Sequence, residues 1–403
     1  MKKFIAAFFI AIALSAFFTV KLKAEAIEKP SVNAHGAILM DAETGRILWG
    51  KNEHTPLPMA STTKIMTAIL ALESGRMDET VTASKRAAAA PKVKMDLTAG
   101  EQVRLGNLML ALMLESSNDA AVAIAEHLAG TVEEFCRQMT EKAHSLGAVN
   151  TIFETASGLD AGNHSSTPYD LAIITRYALD VPGFVALTNT MDANFSSDKR
   201  SYSFHNKNRL LNEFPGANGV KTGFTGKAGH CFVGAAKQDG MQLISVVLAS
   251  GWGTEGRNQK WVDTKEILSF GFANFEFKTL VKEDDLAGVM PVTRTRSDDI
   301  AFVYDTGVRA PISKEETFSV EIVSPVSMQA PISQGDIIGT AKVYIGEQFH
   351  AEIPLVAIES ATRHDFKTSL EKVLNSYFSL ITKEEPNIIL PEFFAFPELL
   401  PPT

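Results

Sequence analysis

Cysteine is nearly absent: the 403 residues hold only Cys136 and Cys231. Two thiols cannot build a zinc site by themselves, and no Cys-x-x-Cys or His-Glu-x-x-His run occurs. His54, His127, His144, His205 and His230 show no ligand spacing, so they read as core or surface histidines and no metal is expected. A disulfide between the two cysteines is left open at this level. Positive charge is also short. Lys plus Arg total 38 against 47 for Asp plus Glu, a net charge of −9, which provides no global excess to hold nucleic acid. There is no internal repeat, and only one long apolar run, from Phe4 to Val20. With 45% hydrophobic and 21% charged residues, the composition is that of a folded soluble protein long enough for two or three units.

That apolar run decides the compartment. Lys2 and Lys3 precede it, and Ala24-Glu25-Ala26 follows with the small-x-small order of a signal-peptidase site. Residues 1–26 therefore read as a signal peptide. The alternative is an uncleaved anchor, since the run is nearly long enough to span a bilayer. Either way the folded part is expected outside the cytoplasm, secreted or periplasmic.

Ala37 to Asp41 and Arg46 to Trp49 flank a turn containing Gly45 and predict a β-hairpin. Residues 61–73 predict a helix ended by Gly75. Residues 105–115 and 119–129 are helical segments broken by Ser116-Ser117-Asn118, and Asp170 to Leu179 is helical too. Cys231 to Ala236 and Leu243 to Leu248 predict strands joined through Asp239-Gly240, and Lys260 to Phe270 returns to helix. This order predicts an α/β domain over 27–275, with a sheet drawn from both of its ends and helices packed on it. Short alternating runs from Phe277 to Ile358 predict a small all-β domain over 276–360. In 361–403, Phe366, Leu370, Val373, Leu374, Tyr377 and Ile381 fall on one helical face, and the last eighteen residues, with five prolines, read as a non-helical tail.

A serine hydroxyl is a weak nucleophile until a neighbouring base takes its proton. Ser61-Thr62-Thr63-Lys64 supplies both groups, because positions i and i+3 share a helical face. At a helix start, unpaired backbone N–H groups can face a developing oxyanion. A free lysine, with a pKa of about 10.4, is a poor base at neutral pH. It must be deprotonated by burial or by a second cation. Ser-x-x-Lys also occurs at Ser196/Lys199 and Ser369/Lys372, and Ser-x-Asn at Ser31/Asn33 and Ser116/Asn118. Only Ser61, Ser116 and the single Lys221-Thr222-Gly223 run in the order Ser-x-x-Lys, Ser-x-Asn, Lys-Thr-Gly.

That trio resembles the signature of penicillin-binding proteins and class A β-lactamases. The segments Pro58 to Thr67, Glu115 to Ala120 and Gly219 to Gly223 resemble those of the low-molecular-mass D-alanyl-D-alanine carboxypeptidases. The resemblance implies a β-lactamase/transpeptidase-like catalytic domain with an antiparallel sheet, followed by the small all-β domain. It implies Ser61, Lys64 and Ser116 as catalytic residues: nucleophile, general base and proton relay. Asn118, Lys221, Thr222 and Gly223 become substrate-binding residues, with the oxyanion hole formed by the N–H groups of Ser61 and Phe224. Arg257 stands near a family arginine that binds the substrate carboxylate, though a surface ion pair fits its context equally well. The implied partners are a peptidoglycan stem peptide ending in D-Ala-D-Ala and β-lactam antibiotics. Neither cofactor nor nucleic acid is implied. A terminal amphipathic helix used as an anchor implies membrane-surface contact through 366–381.

Three rivals share these motifs. A β-lactamase would add Glu-x-x-Leu-Asn between the second and third motifs. The one match, Glu371 to Asn375, lies 150 residues beyond Lys221 and reads as coincidence. A D,D-endopeptidase on the same scaffold is not separable by sequence. An inactive cell-wall scaffold fits poorly with an intact set of site residues.

Overall fold

The computed structural model describes residues 28–295, 299–363, 366, 370, 371 and 373–377. The expected signal peptide, Ile381 of the apolar stripe and the Pro-rich tail lie outside the described residues. The chain divides into two compact units, one up to Glu276 and one from Phe277.

In the first unit, Gly36–Asp41 (β1) and Ile47–Lys51 (β2) form the hairpin, with Gly45 at φ +76° in its turn. The 3-10 turn Ala60–Thr63 leads into Lys64–Glu73 (α1). Leu105–Leu110 (α2) runs into a π turn at Ala111–Glu115, and Asn118–Ala129 (α3) and Val132–Ser145 (α4) follow. Pro168–Asp180 (α5) precedes Ala217–Thr225 (β3), Gly229–Gln238 (β4), Met241–Leu248 (β5) and Gly253–Asn274 (α6). The sheet order is β2-β1-β5-β4-β3, antiparallel throughout, so the two chain ends of the unit meet in its middle. Asp239 and Gly240, both with positive φ, make the two-residue β4–β5 loop, which matches the twist of the flanking strands.

Alternation along the strands buries both faces of the sheet. Ile38, Met40, Val233, Ile244 and Val246 join the core beneath α1 and α5. On the other face Phe232 meets the Trp261 ring of α6 with centroids 4.6 Å apart, and Gly271 lets α6 come close to Leu39 and Leu243. Two helical expectations are adjusted. The helix expected from Lys260 begins at Gly253, because Gly253-Thr254-Glu255-Gly256 forms its first turn although it reads as loop. The helix expected from Ser61 is a 3-10 turn first, so the serine sits in the tighter geometry.

The second unit is built of β-strands up to Ala357. Its six-stranded sheet includes the antiparallel pairs Phe318–Val323 with Ile337–Ile345, and Ile337–Ile345 with Gln348–Ala357. It has its own core around Phe302, Ile312, Val343 and Leu355.

The residues that open α3 also hold the loop beside it. The buried Asp119 carboxylate accepts from Met95 N–H at 3.0 Å and Leu97 N–H at 2.9 Å, and Asn118 N–H donates to the Val93 carbonyl at 2.8 Å. A carboxylate in the first helical turn is also favoured by the helix dipole. Asp119→Ala strands two buried N–H groups and is expected to cost about 2–4 kcal/mol. Urea unfolding of the variant measures the loss, and limited proteolysis should cut first within 91–97. An unchanged midpoint would refute this role for the carboxylate.

Candidate active site

The Ala60–Thr63 turn sits against the edge strand β3. Gly223 is what permits the approach. A Cβ there would stand 3.0 Å from the Ser61 nitrogen, 3.1 Å from the Ala60 Cβ and 3.2 Å from the Met59 oxygen. From the other side comes the loop 155–160, tied to the end of β3 by a 2.9 Å hydrogen bond from Thr225 Oγ1 to Asp160 Oδ1. Ser61 is thus held between two backbone segments, half-buried, with its side chain toward a cleft.

Lys64, the first residue of α1, is fully buried. Its Nζ lies 3.0 Å from Ser61 Oγ, 2.8 Å from Asn118 Oδ1 and 2.6 Å from the Ser157 carbonyl oxygen. Burial pushes its pKa well below the ordinary lysine value, the Lys221 charge pushes it further down, and Asp119 opposes both. Three partners suit a neutral amine. With its two N–H bonds on Asn118 and Ser157, a neutral amine has its lone pair free to take the serine hydroxyl proton across the 3.0 Å contact.

Ser116 follows the π turn in the left-handed region, at φ +67° and ψ 33°, an uncommon conformation for serine. Its hydroxyl lines the cleft and has no hydrogen-bond partner among the described residues. Asn118 is fixed at both ends of its amide, accepting from Lys64 and donating to the Pro91 carbonyl at 3.1 Å. The buried Lys221 donates to the Thr222 carbonyl at 3.0 Å. Its pKa is lowered to about 7, first by burial and then by Lys260 and Lys207.

The cleft measures about 500 Å³. Ser61, Ser116, Thr222, Gly223 and Phe224 line it, and so do Val93, Lys207, Arg257 and Lys260. Three cations therefore line the cleft, and Glu115 is the single carboxylate in the lining, already paired with Lys207. Such a site attracts an anion. Arg257 has no ion pair among the described residues, so the surface-pair alternative is not what the structure contains. The eight expected site residues, Ser61, Lys64, Ser116, Asn118, Lys221, Thr222, Gly223 and Phe224, are thus gathered at or beneath one cleft.

Other residues fall elsewhere. Ser196 and Lys199 are exposed on or beside a two-stranded hairpin, and Glu371 belongs to the second unit. Cys136 and Cys231 are free, buried thiols, each pushed up to about 12 by burial. Lys207 and Lys260 gave no signal in sequence, because only the fold brings them to the cleft. His230, expected as a core or surface residue, is buried but lines the cleft, with Nε2 3.1 Å from the Gly253 carbonyl oxygen and Nδ1 unpartnered. His164 carries no motif or spacing signal in the sequence. It is buried beside the nucleophile turn, with Nδ1 accepting from Glu154 N–H at 3.0 Å and Nε2 2.8 Å from Thr63 Oγ1.

Comparison with known proteins fits this geometry. Residues 23–251 match the family model described as D-alanyl-D-alanine carboxypeptidase, and residues 275–363 match the C-terminal domain of penicillin-binding protein 5. The chain is 30% identical over 390 residues to D-alanyl-D-alanine carboxypeptidase DacF of Bacillus subtilis, covering 94% of this chain and 99% of that one. It is 30% identical to DacC of Escherichia coli, covering 85% and 88%. Among solved structures, penicillin binding protein 5 from Haemophilus influenzae superposes with a TM-score of 0.70 at 28% identity, covering 84% of this chain and all of that one.

His164 supplies a pH test. Burial lowers its pKa to about 4, and the Glu154 N–H bond requires an unprotonated Nδ1. The folded state therefore binds the proton less readily than the unfolded chain. The stability contributed is complete above pH 6.5 or so and is lost as pH falls toward 4, on the order of 3 kcal/mol in all. Thermal unfolding from pH 7 to 4 should show a steeper loss for the wild type than for His164→Phe. Parallel slopes would contradict the buried neutral ring.

Proposed function

The chain belongs to the D-alanyl-D-alanine carboxypeptidase family of serine-type peptidases, and from that premise we propose that it removes the terminal D-alanine from peptidoglycan stem peptides through an acyl-enzyme on Ser61. The supporting observation is the buried Lys64 amine 3.0 Å from the Ser61 hydroxyl. Lys64 takes the hydroxyl proton as Ser61 Oγ attacks the carbonyl carbon between the two D-alanines. The negative charge that develops on the carbonyl oxygen is met by the N–H groups of Ser61 and Phe224. The C–N bond then breaks as Ser116 passes its proton to the leaving amine and is reprotonated by Lys64, which restores the base. Water adds to the ester, Ser61 regains its proton, and the shortened peptide leaves.

Binding uses the cations that line the cleft. Thr222 and Arg257 take the substrate carboxylate, Lys221 supplies attraction, and Asn118 aligns the peptide while holding Lys64. A β-lactam presents a similar carboxylate and a strained amide, so penicillin acylates the same serine. Trimming the donor peptide limits cross-linking of the wall. The protein works outside the cytoplasm. Among the described residues no helix is long and apolar enough to cross a membrane. The exposed Phe366, Leu370, Val373 and Tyr377 favour contact with a membrane surface through 366–381.

Ser61→Ala is expected to abolish both penicillin labelling and release of D-alanine from a synthetic D-Ala-D-Ala peptide; labelling at the wild-type rate would sink the assignment. Mass analysis of the same digestion separates carboxypeptidase from endopeptidase products. Lys64→Ala should slow acylation by about 10²–10⁴. Lys221→Ala should weaken anionic ligands more than neutral ones, and equal losses for both would contradict its electrostatic role. Vesicle sedimentation tests the membrane contact: residues 27–403 should pellet with lipid and residues 27–360 should not.

A further inference from the structure

The peptide group joining Ala60 to Ser61 carries the Ser61 N–H at one end and the Ala60 carbonyl at the other. A peptide group is planar, so whatever fixes the carbonyl also aims the N–H. Three features fix it. Thr63 Oγ1 donates to the Ala60 oxygen at 2.8 Å. Gly158, at φ +87°, leaves room for that oxygen, since a Cβ there would lie 2.0 Å from it. Gly223 leaves room at the opposite end, where its Cβ would lie 3.0 Å from the Ser61 nitrogen. Ala60 itself stands at φ +49°, a left-handed conformation that a non-glycine residue holds only when its surroundings over-determine it.

Thr63 has one hydroxyl proton, so its direction must be settled. His164 settles it. Nδ1 of the ring accepts the Glu154 N–H, so the ring proton is on Nε2 and points at Thr63 Oγ1, 2.8 Å away. The hydroxyl oxygen accepts there, and its own proton is left for the Ala60 carbonyl. The chain of bonds runs one way: Glu154 N–H to His164, His164 to Thr63, Thr63 to the carbonyl of the peptide that carries the Ser61 N–H.

Resting on the serine acyl-enzyme proposed above, we infer that His164, acting through Thr63, is a positioning residue that holds the Ala60–Ser61 peptide plane with its N–H aimed at the developing oxyanion. It touches neither substrate nor the reacting atoms. Its effect belongs to the charged tetrahedral state, where a donor aimed in advance matters most.

Two pairs of variants test this. Thr63→Val keeps the shape and removes the hydroxyl; Thr63→Ser keeps the hydroxyl. His164→Phe removes the ring donor; His164→Gln retains an N–H that can reach Thr63. Removing an oxyanion donor outright costs about 10²–10³ in rate, so mis-aiming one is expected to slow acylation by penicillin, measured from the non-covalent complex, by roughly tenfold or more. The affinity of that complex should change less than about twofold, since ground-state binding does not use the donor. A boronic acid that forms a tetrahedral adduct on Ser61 should lose affinity in proportion to the rate. Thr63→Ser and His164→Gln should recover most of both. Folding of each variant is checked by thermal unfolding, and if His164→Phe fails to fold, the Thr63 pair decides. Wild-type rates in folded Thr63→Val, or equal defects in Thr63→Val and Thr63→Ser, would overturn the inference alone. A wild-type protein that penicillin does not label on Ser61 would overturn the acyl-enzyme and the inference with it.

Discussion

The burial of the Lys64 amine is the constraint on which the site depends. An ammonium group taken out of water is costly unless it is paired, and the usual outcome is a shift toward the neutral form. Here no carboxylate touches the amine. Its hydrogen-bond partners are a hydroxyl, an amide oxygen and a backbone carbonyl, all uncharged. Asp119 is near enough to oppose the shift, but its oxygens are committed to the N–H groups of Met95, Leu97 and Ala120. The fold thus places a base beside the serine by withholding a counter-ion, and Lys221 adds to the effect from the neighbouring strand.

The same arrangement explains why the surroundings are built so tightly. Lys64 reaches three segments distant in sequence: the nucleophile turn, the start of α3 and the loop at Ser157. Each is pinned independently. Gly223 lets β3 close against the turn, Gly158 lets the loop close from the other side, and Asp119 anchors the 91–97 loop. A shift of any one would lengthen a hydrogen bond to the amine. The cations Lys207, Arg257 and Lys260 sit at the cleft rather than around the amine, so attraction of an anionic ligand and deprotonation of the base do not compete for one partner.

Much of this was legible in the sequence because it is local. The hairpin at Gly45, the two-residue turn at Asp239-Gly240 and the helix after Lys64 follow from short-range patterns. The three motifs stood out by their order rather than by any one of them, as the unused Ser196/Lys199 pair and the misplaced Glu371 to Asn375 match make plain. What was not legible depends on distance in sequence. Lys260 lies on α6, whose first turn of small and polar residues reads as loop. His164 is a single histidine in a polar loop with no periodicity, and its importance appears only when Thr63, a hundred residues earlier, comes within hydrogen-bonding distance. The π turn ending at Glu115 and the left-handed Ser116 have no turn signature of glycine or asparagine at that position to announce them.

Direct titration of the Lys64 side chain is the measurement closest to the central claim. Lysines labelled with ¹³C at Cε, with Lys64 assigned by its loss in a Lys64→Met variant, report the charge on the amine as pH is raised. The signal of Lys64 should change at a pH far below that of the exposed lysines, and Lys221→Met should move it upward by removing a neighbouring cation. A Lys64 that titrates with the exposed lysines, near 10.4 or so, would contradict a neutral base held ready by burial.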